Sequence, residues 1–329
     1  MNITLIASDN GLGHIKRVIE FSNILIKKNK IRLLIPKKFF SKFKINKLIK
    51  VIDFEMRLNV KNKSYNYNWT KRLDKKHINN SDLIICDNLP EIIKFNKKTI
   101  IVANFFWHHI LPIQHKKKIF LDKLLRTKNI PIFGNYLFVN NLIKKKFNTA
   151  KIGFIGNFQG KKRRNIKNIL IALGTSKIDH KQQNIINKQI TKMIENINTE
   201  KFNIYLDPLV KLEKKFKKKL FKADFSNSMY NWIDVAIIKP GLGTITECLE
   251  RAIPIICYTK NLNNEFKYNV SVLKNKNLGI TISDFNQVPK LIKEVINNKQ
   301  FLKNFFFKCE QLKWCGDMKL QKEIEKNFK

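Results

Sequence analysis

Hydrophobic residues occur along this chain in short runs, separated by longer stretches in which hydrophobic and polar positions are interleaved. The short runs have the length and composition of buried strands, and the longer stretches have the spacing of amphipathic helices. Such alternation is typical of βα units around a parallel sheet, so the predicted fold class is α/β. In the first half, strands are predicted at Ile3–Ala7, Ile31–Ile35, Leu83–Cys86, Thr99–Ala103 and Tyr136–Val139, with a helix over His14–Lys28.

The pattern restarts after residue 157, which predicts a second domain. Gly153–Asn157 is expected to form a strand that leaves the first domain, and the polar, basic segment 158–167 is expected to be a linker. We expect an N-terminal domain over 1–157, a C-terminal domain over 168–300, and a helical segment over 301–329 that packs back on the first domain. The C-terminal elements are predicted as strands at Asn168–Leu173, Phe202–Leu206, Asp234–Ile238 and Ile253–Tyr258, with helices at Gln182–Asn196 and Ile245–Arg251.

The net charge is the feature of the composition that differs most from that of an ordinary globular protein. The 329 residues include 65 Lys and Arg against 25 Asp and Glu, a formal net charge of +40. This charge suits an anionic partner, but Lys, Asn and Ile are also the residues that an AT-rich genome encodes most often. No module that reads nucleic acid is recognisable, so nucleic acid is not the expected partner. A protein that binds RNA or another polyanion remains the alternative from a different functional class.

Cysteine usage and the start of the sequence predict a cytoplasmic protein. The five cysteines are odd in number and lack a C-x-x-C pair, which fits a reducing compartment. The apolar run Met1–Ala7 is followed at once by polar residues and is too short for a signal-peptide core. The basic, Phe-rich segment Lys37–Lys50 fits either attachment to the inner face of an anionic membrane or a helix packed on the sheet.

A glycine turn in the second half is the strongest chemical signal. The sequence Lys239-Pro-Gly-Leu-Gly-Thr-Ile-Thr-Glu247 ends a predicted strand and opens a helix. Glycines let backbone N–H groups approach a ligand, and a helix N-terminus favours an anion such as a diphosphate. Thr244 would add a hydroxyl, and Glu247 would accept from ribose hydroxyls. The alternative is an ordinary glycine turn with Glu247 as a first-turn helix-dipole residue.

Together with Ala252–Ile255 and Asn264–Asn269, this turn resembles the nucleotide-sugar domain of GT-B glycosyltransferases, most closely of family 28. The resemblance covers roughly 168–282 and implies two Rossmann-like domains facing a cleft, a UDP-sugar or similar donor, no metal and no cofactor. Phe266 stands where the family often has glutamine. The implied donor-site residues are Gly174, Thr175, Ser176, Lys239, Gly241, Leu242, Gly243 and Thr244 around the diphosphate, Glu247 at the ribose, Glu265 at the sugar hydroxyls, and Asn269.

A second glycine loop, Asp9-Asn-Gly-Leu-Gly-His-Ile-Lys-Arg17, lies between the first predicted strand and the first helix. Glycines at 11 and 13 clear space at the strand ends, where open α/β sheets bind ligands. Histidine has an ordinary pKa near 6.5, so His14 suits a general base for a sugar hydroxyl, although it also suits a capping or packing role. The G-x-G-H-x-x-R pattern resembles that of several GT-B transferases and of a related nucleotide-sugar hydrolase, which places Gly11, Gly13 and Arg17 in the donor and acceptor cleft.

Two further segments follow predicted strands. Asp87 matches an aspartate that orients the catalytic histidine in plant-type GT-B transferases, and its alternative is a plain turn residue. Trp107 and His108 are expected to line the acceptor cleft or else to belong to the core. The His108-His109 pair has no carboxylate or third histidine at ligand spacing along the sequence, so no metal site is predicted.

The resulting hypothesis is a hexosyltransferase-type GT-B enzyme. It would move a sugar from a nucleotide-sugar to an acceptor hydroxyl, with His14 as general base and Asp87 orienting it. The expected acceptor is a glycan or lipid-linked molecule of the cell envelope. A nucleotide-sugar hydrolase on the same fold is the nearest alternative, because His14 would then activate water.

Overall fold

The chain folds into two compact units in a computed structural model. Unit 1 comprises Met1–Gly156 and Lys313–Lys329, and unit 2 comprises Asn157–Leu312. The structure describes all residues except 10, 57–58, 62–63, 67, 96–97, 162–165, 174–179, 198–200, 214–215, 217–219, 261 and 329. Within that described part, no helix combines the length and apolarity needed to cross a membrane.

Unit 1 is built on a seven-stranded parallel sheet with the strand order β3-β2-β1-β6-β7-β8-β9. All five residues of β6 are buried, as expected for a central strand covered on both faces. A separate short antiparallel pair, β4 and β5, completes the strands of this unit. The elements are β1 (Asn2–Ile6), α1 (Leu12–Leu25), β2 (Lys30–Ile35), β3 (Lys50–Asp53), β4 (Asn59–Lys61), β5 (Ser64–Asn66), α2 (Lys76–Asn79), β6 (Leu83–Asp87), β7 (Thr99–Val102), α3 (Lys116–Thr127), β8 (Ile132–Asn135), α4 (Asn141–Lys146) and β9 (Thr149–Ile152).

Unit 2 is built on a six-stranded parallel sheet with the order β12-β11-β10-β13-β14-β15. The predicted fold class, two parallel-sheet α/β domains, is therefore confirmed. The elements are β10 (Asn168–Ala172), α5 (His180–Asn196), β11 (Asn203–Leu206), β12 (Leu220–Lys222), α6 (Asn227–Trp232), β13 (Val235–Ile238), α7 (Leu242–Glu250), β14 (Ile255–Tyr258), α8 (Asn264–Asn275), β15 (Ile280–Ile282), α9 (Val288–Asn297) and α10 (Lys299–Glu310), after which α11 (Gly316–Phe328) belongs to unit 1.

Two predicted strands are wrong. Tyr136–Val139 is a turn, because the Asn135 side-chain oxygen accepts from the backbone N–H groups of Leu137 and Phe138 and ends β8 before the apolar run begins. Gly153–Asn157 joins no sheet. Its backbone bonds to the segment that leads into α11, through Phe154 N–H to Lys313 O at 2.7 Å and Gly316 N–H to Phe154 O at 2.7 Å.

The basic segment Lys37–Lys50 turns its apolar side chains inward. Phe39 and Ile49 are buried, and Phe40 and Phe43 pack against the same core cluster. Of its large apolar side chains only Leu48 is strongly exposed, at 77%. The apolar side chains therefore pack inward, as the second alternative expected, but the segment contains only a short 3-10 helix at Lys37–Phe39 rather than a packed α-helix.

Candidate active site

The carboxyl ends of neighbouring strands bring the sequence-predicted residues of unit 1 together. β1 and β6 are parallel partners, with Ile6 opposite Cys86. The loop after β1 leads into α1, which carries His14, and β6 ends at Asp87. Because the strand ends and the start of α1 meet at this edge, His14 and Asp87 form a hydrogen bond although they lie 73 residues apart in sequence.

Gly11 makes the entry into α1 possible. It is the N-cap residue of the helix and has a φ of 122°, a conformation that residues with a Cβ rarely adopt. The helix then starts at Leu12, so that Gly13 and His14 lie in its first turn. The positive φ is a structural reason for a glycine at position 11 that differs from the one expected, which was to clear space at the strand ends.

His14 and Asp87 form a directed pair. Nδ1 of His14 lies 3.0 Å from Oδ1 of Asp87, whose side chain is fully buried, while the His14 side chain is 13% exposed. A carboxylate only accepts, so Nδ1 carries the hydrogen and donates it. The lone pair of Nε2 is then available to take a proton.

Arg17 contacts this pair. Its Nε donates to Oδ2 of Asp87 at 2.9 Å, and its Nη2 donates to Oδ1 at 3.1 Å. This two-pronged contact is the geometry that a guanidinium forms best with a carboxylate. Sequence reasoning assigned Arg17 to the cleft but did not connect it to Asp87.

Two aromatic rings from the segment after β7 flank His14. The ring centroid of Trp107 lies 5.9 Å and that of Phe105 lies 6.3 Å from the imidazole, and the two aromatic rings meet edge to face at 4.8 Å. Trp107 is buried, at 9% exposure, so it packs beside His14 and offers little ring surface on which a ligand could stack.

His108 belongs to the buried core, the alternative to its assignment to the cleft. Its side chain is fully buried and stacks on Phe106, with Nε2 2.8 Å from Oδ1 of Asp122. Burial lowers the pKa of His108 to about 4. His109 Nε2 reaches the same oxygen at 3.0 Å. Burial raises the pKa of Asp122, but hydrogen bonds from both histidines outweigh this effect and lower the pKa overall.

The same three residues have ligand atoms close enough together for a metal ion, which sequence spacing did not indicate. Asp122 lies 13 residues beyond His109, on α3, and reaches it because α3 packs against the segment that carries the two histidines. The chemistry of the donor set fits a cation poorly. A metal on Nε2 would leave a hydrogen on Nδ1 of His108, which is buried without a hydrogen-bond partner, and the cationic Lys118 lies nearby.

In unit 2 the predicted glycine turn follows β13 and opens α7. Gly241 is the N-cap residue of α7 and has no side chain to accept from the first N–H groups of the helix. Gly241 has an ordinary φ of −73°, and a Cβ built on it would meet no described atom within 4 Å. Neither backbone strain nor packing among the described residues therefore requires glycine at this position.

The residues around this turn hold it in place and add charge. The Asn269 side chain donates to Pro240 O at 2.9 Å and is buried, so Asn269 positions the turn. Lys239 Nζ lies 5.3 Å from the centre of the Phe266 ring. Burial lowers the pKa of Lys239. Thr244 hydrogen bonds to Tyr230 through its side chain.

Glu247 lies in the second turn of α7, because the helix starts at Leu242, and this removes its first-turn alternative. Its Oε2 pairs with Nη1 of Arg251 at 2.9 Å, and Oε2 of Glu250 pairs with the same atom at 2.9 Å. Asn231 accepts from Nε of Arg251 at 3.1 Å. We call Glu247, Glu250 and Arg251 the buried triad. The i,i+4 spacing of Glu247 and Arg251 was the sequence signal that could have revealed it.

The remaining predicted donor-site residues of unit 2 lie at several positions. Glu265 lies in the first turn of α8, which follows β14 at the same sheet edge as the glycine turn. Gly174, Thr175 and Ser176 fall outside the described residues. Leu242 and Gly243 are the first two residues of α7.

No protein-family model matches this chain, and no curated protein matches its sequence. Solved structures do match its fold. One is Os79 from O. sativa in complex with UDP, with a TM-score of 0.68 and 10% identity over 99% of this chain and 100% of that one. A second is the glycotransferase of kitacinnamycin, with a TM-score of 0.66 and 10% identity over 99% and 98% of the two chains. A third is UGT89C1 from Arabidopsis thaliana complexed with quercetin, with a TM-score of 0.63 and 11% identity over 99% and 98%.

At these identities the likeness concerns the fold, and it extends over the whole of each chain. The predicted GT-B fold is confirmed. The narrower assignment to family 28 is not confirmed.

Proposed function

We propose that this protein is a glycosyltransferase that moves a hexose from a UDP-linked donor to an acceptor hydroxyl, with His14 as the general base. The observation that carries the proposal is the His14–Asp87 pair at the carboxyl edge of the unit 1 sheet, in a chain with the GT-B fold. A histidine held in one tautomer by a buried carboxylate is suited to proton abstraction.

The proposed reaction is a substitution at the anomeric carbon of the donor. Nε2 of His14 takes the proton of the acceptor hydroxyl while the acceptor oxygen bonds to the anomeric carbon. The bond between that carbon and the phosphate oxygen breaks, and its electron pair leaves with UDP. Asp87 accepts from Nδ1 and so holds the imidazole in the tautomer whose Nε2 faces the acceptor proton.

In unit 2 the leaving diphosphate would be bound at the N-terminus of α7. Backbone N–H groups of the first turn and the Lys239 ammonium supply positive charge there, and no described atom lies close to the Cα of Gly241 on the side where a Cβ would stand. These groups can stabilise the diphosphate without a metal ion, so we propose metal-independent transfer. Glu247 and Glu265 are assigned to the ribose and the sugar hydroxyls.

We propose a glycan or lipid-linked acceptor at an anionic membrane surface. Support comes from exposed apolar residues on and just before α3, namely Ile113, Ile119 and Phe120, which together with the lysines of α3 we call the α3 face. Apolar side chains among lysines suit peripheral binding to anionic lipid. The proposal of membrane binding therefore rests on the α3 face, because most of the large apolar side chains of Lys37–Lys50 pack inward.

A thermal-shift screen with free nucleoside diphosphates tests the donor site. A ligand at about 100 times its dissociation constant stabilises the folded state by about 2.7 kcal/mol. Each kcal/mol moves the melting temperature by roughly 2–4 °C for units of this size. We expect UDP to raise it by several degrees, and the shift to survive about 0.3 M salt, which screens exposed charges.

Gly241→Ala is the matched control for that screen. The backbone at position 241 accepts alanine, so the variant should melt at or slightly above the wild-type temperature. Its Cβ should nevertheless obstruct the diphosphate and abolish most of the UDP shift. If no nucleoside diphosphate shifts the melt while RNA does so only at low salt, the chain is a polyanion binder. Free sugar as the only product from a bound donor would instead identify a hydrolase.

A further inference from the structure

Arg17 contacts both members of the pair proposed to act as the base. His14 and Arg17 lie three residues apart on α1, so their side chains share one face of the helix. Nη2 of Arg17 lies 3.1 Å from Oδ1 of Asp87 and 3.1 Å from Nδ1 of His14. The Arg17 side chain is 16% exposed, and that of Asp87 is fully buried.

The hydrogens in this cluster have one consistent arrangement. A guanidinium has only donors and stays protonated, so Nη2 cannot accept from the imidazole. If Nδ1 of His14 accepted from Nη2, its lone pair would face the lone pairs of Asp87 Oδ1 at 3.0 Å. Nδ1–H and Nη2–H therefore converge on Oδ1, while Nε of Arg17 holds Oδ2. Arg17 fixes the carboxylate that in turn fixes the imidazole.

The charges of the cluster set when His14 gains a proton. Among the described residues, the contacts of its ring include the Asp87 carboxylate from β6, the Arg17 guanidinium from α1, and the uncharged rings of Phe105 and Trp107. Asp87 alone would favour an imidazolium. Arg17 neutralises that carboxylate and repels a second positive charge.

We propose that Arg17 is a positioning residue that holds the Asp87 carboxylate and offsets its charge beside the His14 ring, so that removing the guanidinium makes His14 easier to protonate. The inference rests on the proposed role of His14 as the base. It adds Arg17 as a third member to the His14–Asp87 pair. The expected effect of Arg17 is on the pH range in which the reaction proceeds.

An NMR titration of the histidine rings tests this without donor or acceptor. The Cε1–H signals of the six histidines are followed against pH, and comparison with His14→Gln identifies the signal of His14. In Arg17→Gln, whose amide can still donate to Asp87, the titration midpoint of His14 should rise by about one pH unit or more. Arg17→Lys keeps the charge and should leave the midpoint close to wild type. Arg32→Gln is the matched control, because Arg32 donates to backbone carbonyls of unit 1 and contacts no part of the cluster.

A midpoint that stays in place or falls in Arg17→Gln, or that moves equally in Arg32→Gln, overturns the proposal. If Arg17→Gln does not fold, Asp87→Asn decides. Arg17 would then face His14 without the carboxylate, and the midpoint should fall well below the free-histidine value of about 6.5. A midpoint at or above 6.5 in that variant overturns the proposal too. Because no step uses a nucleotide, failure here leaves the UDP thermal shift intact, and failure of that shift leaves this titration intact.

Discussion

The buried triad of α7 permits a test that separates donor binding from folding. Glu247 and Glu250 each contact Nη1 of Arg251 at 2.9 Å, and the side chains of both are 10% exposed. Only Glu247 is assigned to the ribose of the donor. Glu247→Gln and Glu250→Gln therefore remove the same charge from the same ion cluster but should differ in nucleotide binding.

The expected magnitudes follow from the charges. Two carboxylates share one guanidinium, so either glutamine variant leaves a balanced pair, and each should lose about 1 kcal/mol of unfolding free energy. Arg251→Met leaves two buried carboxylates without their cation and should cost about 3–5 kcal/mol. A carboxylate accepts several hydrogen bonds, so pairing with Arg251 is compatible with ribose binding. Losing charged hydrogen bonds to the ribose should raise the Kd for UDP by about 10- to 100-fold in Glu247→Gln.

Calorimetry with UDP and urea unfolding on the same preparations measure both quantities. We expect similar unfolding free energies for the two glutamine variants, with UDP affinity reduced only in Glu247→Gln. Equal loss of UDP affinity in Glu250→Gln would mean that both substitutions weaken binding by disturbing α7, and not by removing a contact between Glu247 and the ribose. Unchanged affinity in both would leave Glu247 as a structural residue alone.

Three further predictions concern unit 1. His14→Ala should lower the rate of sugar transfer at least about 100-fold, the low end of a general base's contribution, with the UDP thermal shift retained; wild-type turnover would exclude His14 from the mechanism. The protein should sediment with anionic but not neutral vesicles, with release by moderate salt and weaker binding in Ile119→Ser/Phe120→Ser; equal binding to both vesicle types would contradict the α3 face. Because burial holds the pKa of His108 at about 4 in the folded protein against about 6.5 unfolded, stability should fall as pH drops from 6.5 to 4, by up to about 3 kcal/mol, and His108→Gln should flatten the dependence of the melting temperature in that window.

The fold was predictable because its signal is periodic and local. Buried strands such as β6 and β13 are continuous apolar runs, and glycine turns follow two of the strands. The error at Tyr136–Val139 arose because an equally apolar run follows Asn135, whose side chain captures two backbone N–H groups. The spacing of hydrophobic residues does not predict these side-chain hydrogen bonds.

The candidate site was predictable one residue at a time, but its contacts were not. His14 and Asp87 were each expected at a strand end, and the parallel register of β1 and β6 is what joins them. His108 was misplaced because its partner Asp122 approaches from α3, 14 residues away in sequence. A side chain's partner depends on which elements pack together, and pattern alone does not specify that.

The two arginine clusters also bear on the charge of +40. Compositional bias toward lysine explains basic residues on the surface, yet it does not explain why arginine pairs with the buried carboxylates Asp87, Glu247 and Glu250. Only eight of the 65 basic residues are arginine, and Arg17 and Arg251 both place nitrogens within 3 Å of buried carboxylates. A guanidinium offers a rigid fork of donors that a lysine ammonium lacks, so geometry selects it at such sites. Most of the charge is therefore separable from the proposed chemistry. The α3 face is the place where lysine itself is proposed to act, through diffuse attraction that salt should remove, whereas contacts of the Arg17 and Arg251 clusters should withstand it.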